Sequence, residues 1–209
     1  MNPTIIIEGF GVGAGLIIAI GSQNAFVLKK GIMKQHVFIT ALTCSIIDML
    51  LIILGSMGLG TIISKTPILM ISATLFGIVF LSMYGIKSFM AVFQSKSLNS
   101  EEDKEDSTSL KVTLITLLAF TLLNPHVYLD TVILLGSIGA RYPIVDRTNF
   151  VIGACMASFV WFFGLAYGAR FFSPLFKKDI TWKILDFVIG CVMLTIVYKL
   201  FEFGISNYI

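Results

Sequence analysis

The amino-acid sequence predicts an all-α membrane protein of about six transmembrane helices, arranged as two inverted three-helix repeats with broken first and fourth helices. Of the 209 residues, 56% are apolar and 13% are charged, whereas a soluble domain carries about a quarter charged residues. Most of the surface is therefore expected to face lipid, which excludes a soluble globular enzyme. The net charge is +3, but the basic residues are spread over short segments between apolar stretches. Binding to nucleic acid is therefore not expected.

Apolar segments long enough to cross a bilayer, which takes about 20 residues, account for most of the chain. They are residues 5–28, 36–58, 68–93, 112–139, 149–170 and 183–203. The first is not preceded by a basic region and has no cleavage site, so it is expected to be a retained span rather than a signal peptide. Residues 94–111 are charged and lack aromatic side chains, which predicts a mobile cytoplasmic loop between the two repeats of a single transporter domain, residues 1–209.

The distribution of Lys and Arg indicates the orientation in the membrane, because cytoplasmic loops carry an excess of both. With the N-terminus outside, 11 of the 15 basic residues fall in cytoplasmic segments and 4 fall outside. This favours six spans with both termini outside. A five-span arrangement with an internal N-terminus is the alternative, because Glu8 and Gln23 make the first span the least apolar.

An internal match suggests a repeat of opposite direction in the membrane. Residues 24–27 read Asn-Ala-Phe-Val, and residues 124–127 read Asn-Pro-His-Val, with an offset of 100 residues. Three spans separate the two copies, so they cross the bilayer in opposite senses. Inverted repeats with broken helices in matching positions are a transporter architecture.

The two matching stretches also carry helix-breaking signals. Pro125 lacks an N–H and favours the first position of a new helix, with Asn124 as its cap. In the first span Ser22 or Asn24 is predicted to cap a half-helix in the same way. Two half-helix N-termini, with free N–H groups and partial positive charge, predict a site for a carboxylate such as that of an amino acid. The alternative is a proline kink that serves packing only.

Small residues within the spans have a structural explanation. Glycines occur in GxxxG pairs at 9/13, 11/15 and 164/168, which favour close helix packing and permit either a monomer or a homodimer. The three cysteines, Cys44, Cys155 and Cys191, all lie in apolar stretches and form no CxxC pair. We therefore expect no disulfide, no metal site and no cofactor.

Two carboxylates are predicted to lie within the membrane. Asp48 falls near the centre of the second span and Asp130 in the fourth, where an ionised carboxylate costs at least about 2.5 kcal/mol. No Lys or Arg is predicted deep in any span to neutralise them. They are expected to be protonated and silent, to be capped by groups such as Ser45, or to bind a cation that comes and goes. His126, four residues before Asp130, is on the same helical face and could share its proton.

A cationic substrate follows from the third interpretation, and energetics then require coupling. Moving one positive charge outward against a negative-inside potential costs about 2.3 kcal/mol per 100 mV. Net export therefore needs a driving reaction, of which exchange with protons is the simplest.

The sequence resembles the lysine exporter family of bacterial amino-acid efflux proteins, in particular its lysine and arginine branch. The stretches that carry the resemblance are GSQNAFVLKKGI at 21–32, SIID at 45–48, LNPHVYLDTVILLGSIG at 123–139 and ASFVWFFGL at 157–165. The resemblance implies a multi-pass protein of the inner membrane that exports lysine or arginine, driven by protons. The family's motif positions correspond to Gln23, Asn24, Asp48, Asn124, Pro125 and Asp130. Ser22 stands where the family usually has proline.

The same residues bear on other classes of membrane protein, namely other exporters and intramembrane proteases. Related exporters of neutral amino acids or of divalent metal ions are the alternatives, although acidic and histidine ligands are few for a metal. An intramembrane zinc protease would require HExxH, and both histidines stand alone. An intramembrane aspartyl protease would require a Gly-x-Gly-Asp context, which Asp48 and Asp130 lack. The sequence therefore predicts a transporter and not an enzyme.

Overall fold

The structure, a computed structural model, describes residues 2–18, 21–59, 67–93 and 109–208. These residues form eight helices, and no strand occurs among them. The helices are α1 (Pro3–Ile17), α2 (Ser22–Ile32), α3 (Val37–Leu54), α4 (Pro67–Val92), α5 (Leu110–Leu122), α6 (125–139), α7 (Ile144–Phe172) and α8 (Asp179–Tyr208). The segment Gly55–Leu59 follows α3 and is kinked at Gly58, where φ is +96°, and a 3₁₀ segment, Ser173–Lys177, follows α7.

The described helices include four that are long and apolar enough to cross a membrane alone: α3 with its extension to Gly58, α4, α7 and α8. A fifth span results if α1 and α2 count together, as one span bent by 85°. The predicted fourth span, 112–139, is divided between the shorter helices α5 and α6. An all-helical multi-pass protein is thus confirmed, with four or five candidate spans in the described residues.

A side-chain hydrogen bond spans the first of the two helix breaks, which separates α1 from α2. The amide Nδ2 of Asn24, in α2, donates to the carbonyl of Ile17 at the end of α1, at 2.9 Å. This satisfies one of the carbonyls that a helix C-terminus leaves without a partner. The prediction that Ser22 or Asn24 caps α2 is wrong, because Gly21 occupies the N-cap and contributes no side chain.

A comparable bond bridges the second break. α5 ends at Leu122, and α6 begins at Pro125, as predicted from the missing proline N–H. The hydroxyl of Tyr128, in α6, donates to the carbonyl of Leu122 at 2.8 Å. At both breaks, a side chain of the second helix therefore satisfies the end of the first.

Close backbone contacts join α1 to α7. A Cβ on Gly9 would lie 2.1 Å from the carbonyl oxygen of Phe150, and one on Gly153 would lie 2.0 Å from that of Ile6. No side chain fits there, so these glycines allow the helices to touch. Gly11, on another face of α1, has nothing within 4 Å. Of the GxxxG pairs, 9/13 packs against another helix, whereas a Cβ added to glycines 11, 15, 164 or 168 would have no described atom of a neighbouring element within 4 Å.

The central core lies between both halves of the chain. Four aromatic rings from three helices meet there: Phe26 of α2, Phe80 and Tyr84 of α4, and Phe120 of α5, with ring centroids 4.9–6.4 Å apart. Many large apolar side chains point outward instead, among them Phe76 and Met83 of α4 and Phe201 of α8. In a bilayer such side chains contact lipid, and they carry no cost there.

Two boundaries predicted from the sequence, the end of the first span and the end of the 94–111 loop, differ from those in the structure. Lys29 and Lys30, assigned to a cytoplasmic loop, belong to the last turns of α2, because this helix continues to Ile32. Lys30 is buried, bonds to Gln35 and lies over the ring of Phe26. Of the predicted loop 94–111, residues 94–108 lie outside the described residues, and 110–111 form the start of α5.

Candidate functional site

A cavity of about 260 Å³ lies where the two helix breaks meet. Its volume is close to the lower end for ligand pockets, roughly 300 Å³. Side chains and backbone from α1, α2, α3, α6, α7 and α8 and from both breaks surround it. The lining residues are Leu16, Ile17, Gly21, Ser22, Gln23, Asn24, Asp48, Asn124, Val127, Asp130, Thr131, Phe162, Ile196 and Lys199.

The cavity brings together five of the seven residues that the sequence singled out. Gln23, Asn24, Asp48, Asn124 and Asp130 all line it, although they come from positions up to 107 residues apart. The sixth, Pro125, is buried and begins α6 without lining the cavity. The side chain of the seventh, His126, lies outside the described part of the structure, so its predicted proton sharing stays a prediction.

Asp48 is held by α7 rather than by its own helix. Its side chain is only 4% exposed, and the hydroxyl of Ser158 lies 3.4 Å from its Oδ2 as a hydrogen-bond donor. The cap predicted from Ser45 is wrong, because that hydroxyl donates to the carbonyl of Ala41 at 2.9 Å. A serine in the middle of a helix commonly bonds to its own preceding turn in this way. The side chain of Gln23 also faces this carboxylate, and Asp48 and Gln23 both line the cavity, where a bound molecule can contact them.

The first break is fixed from α7 as well. The indole Nε1 of Trp161 donates to Oδ1 of Asn24 at 3.2 Å, while Nδ2 of Asn24 holds the end of α1. Both ends of this amide are therefore used in positioning the backbone. Trp161 and Ser158 lie within the stretch 157–165 that carries the family resemblance, but no chemical pattern in the sequence linked them to the site.

Two polar atoms at the start of α2 lack partners. Ser22 is fully buried, and Gln23 is 9% exposed. The hydroxyl oxygen of Ser22 and the amide Nε2 of Gln23 form no hydrogen bond within the described residues. Buried polar atoms are normally hydrogen-bonded, and exceptions call for an unseen partner. Since both residues line the cavity, a bound molecule there can satisfy them.

Asp130 and Thr131 approach the cavity from a π-helical segment, Tyr128–Leu135. The hydroxyl of Thr131 bonds to the carbonyl of Val127 at 2.5 Å. π-Helical turns are rare and are frequently found at functional sites. This segment directly follows the break at Pro125 and turns Asp130 and Thr131 toward the same space as Asp48.

A basic residue lines the cavity too. No Lys or Arg was predicted deep in any span to neutralise the carboxylates, but Lys199 of α8 lines the same cavity as Asp48 and Asp130. The sequence placed it near the outer end of the last span. A long aliphatic stem lets a lysine near a helix end reach away from its own backbone position.

A third carboxylate escaped the sequence analysis. Asp186 of α8 is 1% exposed and forms an ion pair with Lys29 of α2. Ser22 and Lys29 are seven residues apart on α2, which places this pair about 10 Å from the cavity end of the helix. The buried carboxylate, but not its partner, could have been suspected from Asp186 lying within the predicted span 183–203.

A match to a family model covers the cavity and most of the chain. No described group of three or more His, Cys, Asp or Glu side chains is placed to hold a metal ion. The LysE type translocator family matches residues 14–202, a range that contains every residue lining the cavity. The chain belongs to this family. As a LysE type translocator, it is a multi-pass protein of the inner membrane.

Three relatives are similar to this translocator over nearly their full lengths. The arginine exporter protein ArgO of Klebsiella pneumoniae subsp. pneumoniae is 37% identical over 204 residues, covering 98% of this chain and 96% of the relative. Those of Shigella flexneri and Escherichia coli strain K12 are 37% and 36% identical over 200 residues, each covering 96% of this chain and 94% of the relative. No solved structure matches the chain significantly.

Proposed function

We propose that this LysE type translocator exports basic L-amino acids, arginine and lysine, across the bacterial inner membrane in exchange for protons. The observation that carries the proposal is the meeting of Asp48 and Asp130 in one cavity between two helix breaks. Carboxylates within a membrane span are costly unless they bind a cation. A cavity with two of them is suited to the two cationic groups of arginine or lysine.

The relatives support the substrate class. Arginine exporters match this chain over nearly its whole length at 36–37% identity. The residues proposed to bind substrate or proton are those predicted from the sequence: Gln23, Asn24, Asp48, Asn124, Pro125, His126 and Asp130. Pro125 acts through the backbone by starting α6, and His126 is a proposed proton partner of Asp130.

The packing pattern supports six spans in two inverted repeats. α1 and α2 pack on α7, the middle span of the second half, and α5 and α6 pack on α3, the middle span of the first. α2 also contacts α8, just as α5 and α6 contact α4. The contact between α3 and α7 and the contact between α4 and α8 each remain the same contact when the two halves of the chain are exchanged. Exchanging the two halves thus preserves every one of these contacts, as a twofold relation between repeats requires.

The orientation of this arrangement is testable through its loops. Residues 33–36 are proposed to be cytoplasmic, and residues 140–143 and the C-terminus to be external, as the excess of Lys and Arg near 33–36 favours. Single cysteines at these places, in a chain without native cysteines, are labelled with a thiol reagent that does not cross membranes. Labelling at 33–36 in intact cells, or none at 140–143, would contradict the proposal.

Proton exchange is proposed on energetic grounds. Arginine and lysine carry one net positive charge, so passive movement draws them into the cell. A carboxylate that binds a proton when the cation is absent couples the two movements in opposite directions.

The function is tested by transport in proteoliposomes loaded with labelled arginine, lysine or leucine. A pH gradient and a voltage are imposed separately on wild type, Asp48→Asn and Asp130→Asn. We expect arginine and lysine efflux driven by the pH gradient, reduced at least tenfold in both variants. Asp179→Asn is the matched control, because that carboxylate lies at the exposed start of α8 and pairs with Lys183.

The outcomes separate the alternatives. Efflux of leucine alone would assign neutral amino acids as substrates. Efflux of no amino acid, with transport of a divalent metal ion, would assign the metal-exporting alternative. Efflux of arginine that ignores the pH gradient would remove the proton from the mechanism but keep the substrate.

A further inference from the structure

Lys199 is the positively charged side chain among the described residues that line the cavity, and it is not among the residues proposed above to bind substrate or proton. Lys199 lines the cavity from α8, together with Ile196 one turn earlier on the same face. The ion pairs between described residues, Lys29–Asp186 and Lys183–Asp179, do not involve Lys199. A lysine in a site for cationic substrates opposes binding by charge repulsion unless it meets a negative group of the substrate.

The charges of the cavity match those of a basic amino acid one for one. Arginine and lysine carry an α-ammonium group, a cationic side-chain group and an α-carboxylate. With Asp48 and Asp130 ionised, the cavity offers two negative groups and, at Lys199, one positive group. Complementary charges across a binding surface provide specificity, because a missing partner leaves a charge uncompensated.

The start of α2 adds neutral donors suited to a carboxylate. α2 has 11 residues, and its N-cap, Gly21, supplies no side-chain bond to the free N–H groups. The hydroxyl of Ser22 and the amide nitrogen of Gln23 are buried, line the cavity and have no hydrogen-bond partner in the described residues. Helix N-termini with such donors bind anions.

We propose that Lys199 and the first turn of α2 bind the α-carboxylate of the transported amino acid. This inference rests on the proposed function, since it takes an amino acid as substrate. Lys199 is then the residue that selects amino acids over amines of the same side chain. Agmatine, which is arginine without its carboxylate, leaves Lys199 without a partner beside a second positive charge.

The test compares a ligand with and without the carboxylate. Binding of arginine and of agmatine is measured by calorimetry on the purified full-length protein, as wild type, Lys199→Met and Lys199→Arg. We expect wild type to bind arginine at least tenfold more tightly than agmatine. Lys199→Met should weaken arginine binding at least tenfold and leave agmatine binding equal or tighter. Lys199→Arg, which keeps the charge, should restore most of the preference for arginine.

Two controls keep the result interpretable. Lys183→Met removes another lysine of α8 at its exposed pair with Asp179 and should change neither ligand. If Lys199→Met weakens both ligands equally, or leaves arginine binding unchanged, the assignment of the carboxylate to Lys199 is overturned. Thermal unfolding of each variant identifies a variant that fails to fold, and Lys199→Gln then replaces Lys199→Met.

Failure of the proposed function gives a different result. If wild type binds leucine and not arginine, the basic substrate is wrong. Leucine and 3-methylbutylamine, its decarboxylated form, then provide the same comparison. A preference for leucine that Lys199→Met abolishes would support the carboxylate site, and a preference that survives would overturn it.

Discussion

The bond between Trp161 and Asn24 shows how a single side chain positions the candidate site. Asn24 accepts this bond and donates to the end of α1, so the indole fixes both the amide and the backbone break. A typical intramolecular hydrogen bond contributes about 1 kcal/mol, which corresponds to roughly a fivefold change in an equilibrium constant. Trp161 is not among the residues that line the cavity, whereas Asn24 is, so removal of the indole should disturb binding through Asn24 without removing a charge.

We therefore predict that Trp161→Phe raises the half-saturating concentration of arginine about fivefold, with smaller effects on maximal efflux. The measurement is concentration-dependent efflux from proteoliposomes. Trp182→Phe is the matched control, because this indole bonds to the carbonyl of Phe176 at 2.8 Å, away from the cavity. Equal effects of both substitutions would mean that loss of an indole, and not its bond to Asn24, alters transport.

At this scale the sequence anticipated the residues that are chemically unusual in a membrane. Asp48 and Asp130 stand out because of their cost in lipid, and Asn24 and Asn124 because they repeat at breaks. Ser158, Trp161 and Lys199 could not be recognised, because their importance depends on which helix lies opposite. Serine, tryptophan and a lysine near a helix end are all common in membrane helices.

Between elements, the glycine contacts of α1 and α7 are the tightest features of the fold. Gly9 has no room for a Cβ beside the carbonyl of Phe150, whereas Gly11 has nothing within 4 Å. We predict that Gly9→Ala destabilises the protein by about 1–3 kcal/mol, as overpacking generally does. Thermal unfolding in detergent measures this. Gly11→Ala, in the same helix, should be neutral, and equal destabilisation by both would contradict the packing explanation.

An ion pair between Asp186 and Lys29 joins α8 to α2. Asp186 is 1% exposed and Lys29 18%, so neutralising one partner leaves a buried charge alone, which typically costs about 3–5 kcal/mol. We predict that Asp186→Asn and Lys29→Met each lower the unfolding temperature clearly. The double variant Lys29→Met/Asp186→Leu should be more stable than either.

The control for this pair is on the same helix. Lys183 and Asp179 are four residues apart at 2.7 Å and about one-third exposed, and exposed pairs contribute little, about 0–1 kcal/mol. Lys183→Met should therefore leave the unfolding temperature nearly unchanged. A double variant at Lys29 and Asp186 as unstable as the sum of its single variants would show that the two charges do not interact.

Element positions were predictable to the extent that hydrophobicity and proline determine them. The start of α6 at Pro125 follows from the missing N–H, and α3, α4, α7 and α8 correspond to apolar segments. The break between α1 and α2 was predicted only from the match of residues 24–27 to residues 124–127, since Ser22 does not force a break as a proline does. The Lys29–Asp186 pair joins residues 157 apart, and single-sequence patterns hold no information at that distance.

For the whole molecule, the balance of charge in the cavity predicts how transport responds to voltage. Two carboxylates and Lys199 leave one net negative charge, which either one proton or one singly charged amino acid balances. We predict one-for-one exchange, which moves no net charge. An imposed voltage of 100 mV should then leave the final arginine ratio unchanged, while a pH gradient shifts it.

Proteoliposomes with a potassium gradient and valinomycin provide the measurement. An exporter that moved one net charge per cycle would change its final ratio roughly 50-fold for 100 mV, since the work is about 2.3 kcal/mol and 1.4 kcal/mol corresponds to tenfold. A change of that size would contradict one-for-one exchange. Potassium gradients without valinomycin control for direct effects of the ion.

The Lys29–Asp186 pair also bears on the speed of the transporter. α2 packs on α7, and α8 packs on α4, so the pair joins two groups of helices about 10 Å from the cavity along α2. A passage that opened by moving α2 away from α8 would separate these charges, and every 1.4 kcal/mol added to that barrier would slow each cycle tenfold. A slow cycle limits how fast a cell loses an amino acid that it has made at metabolic expense. The ion pair would thus slow the loss of substrate, so that the transporter removes mainly the excess from the cytoplasm.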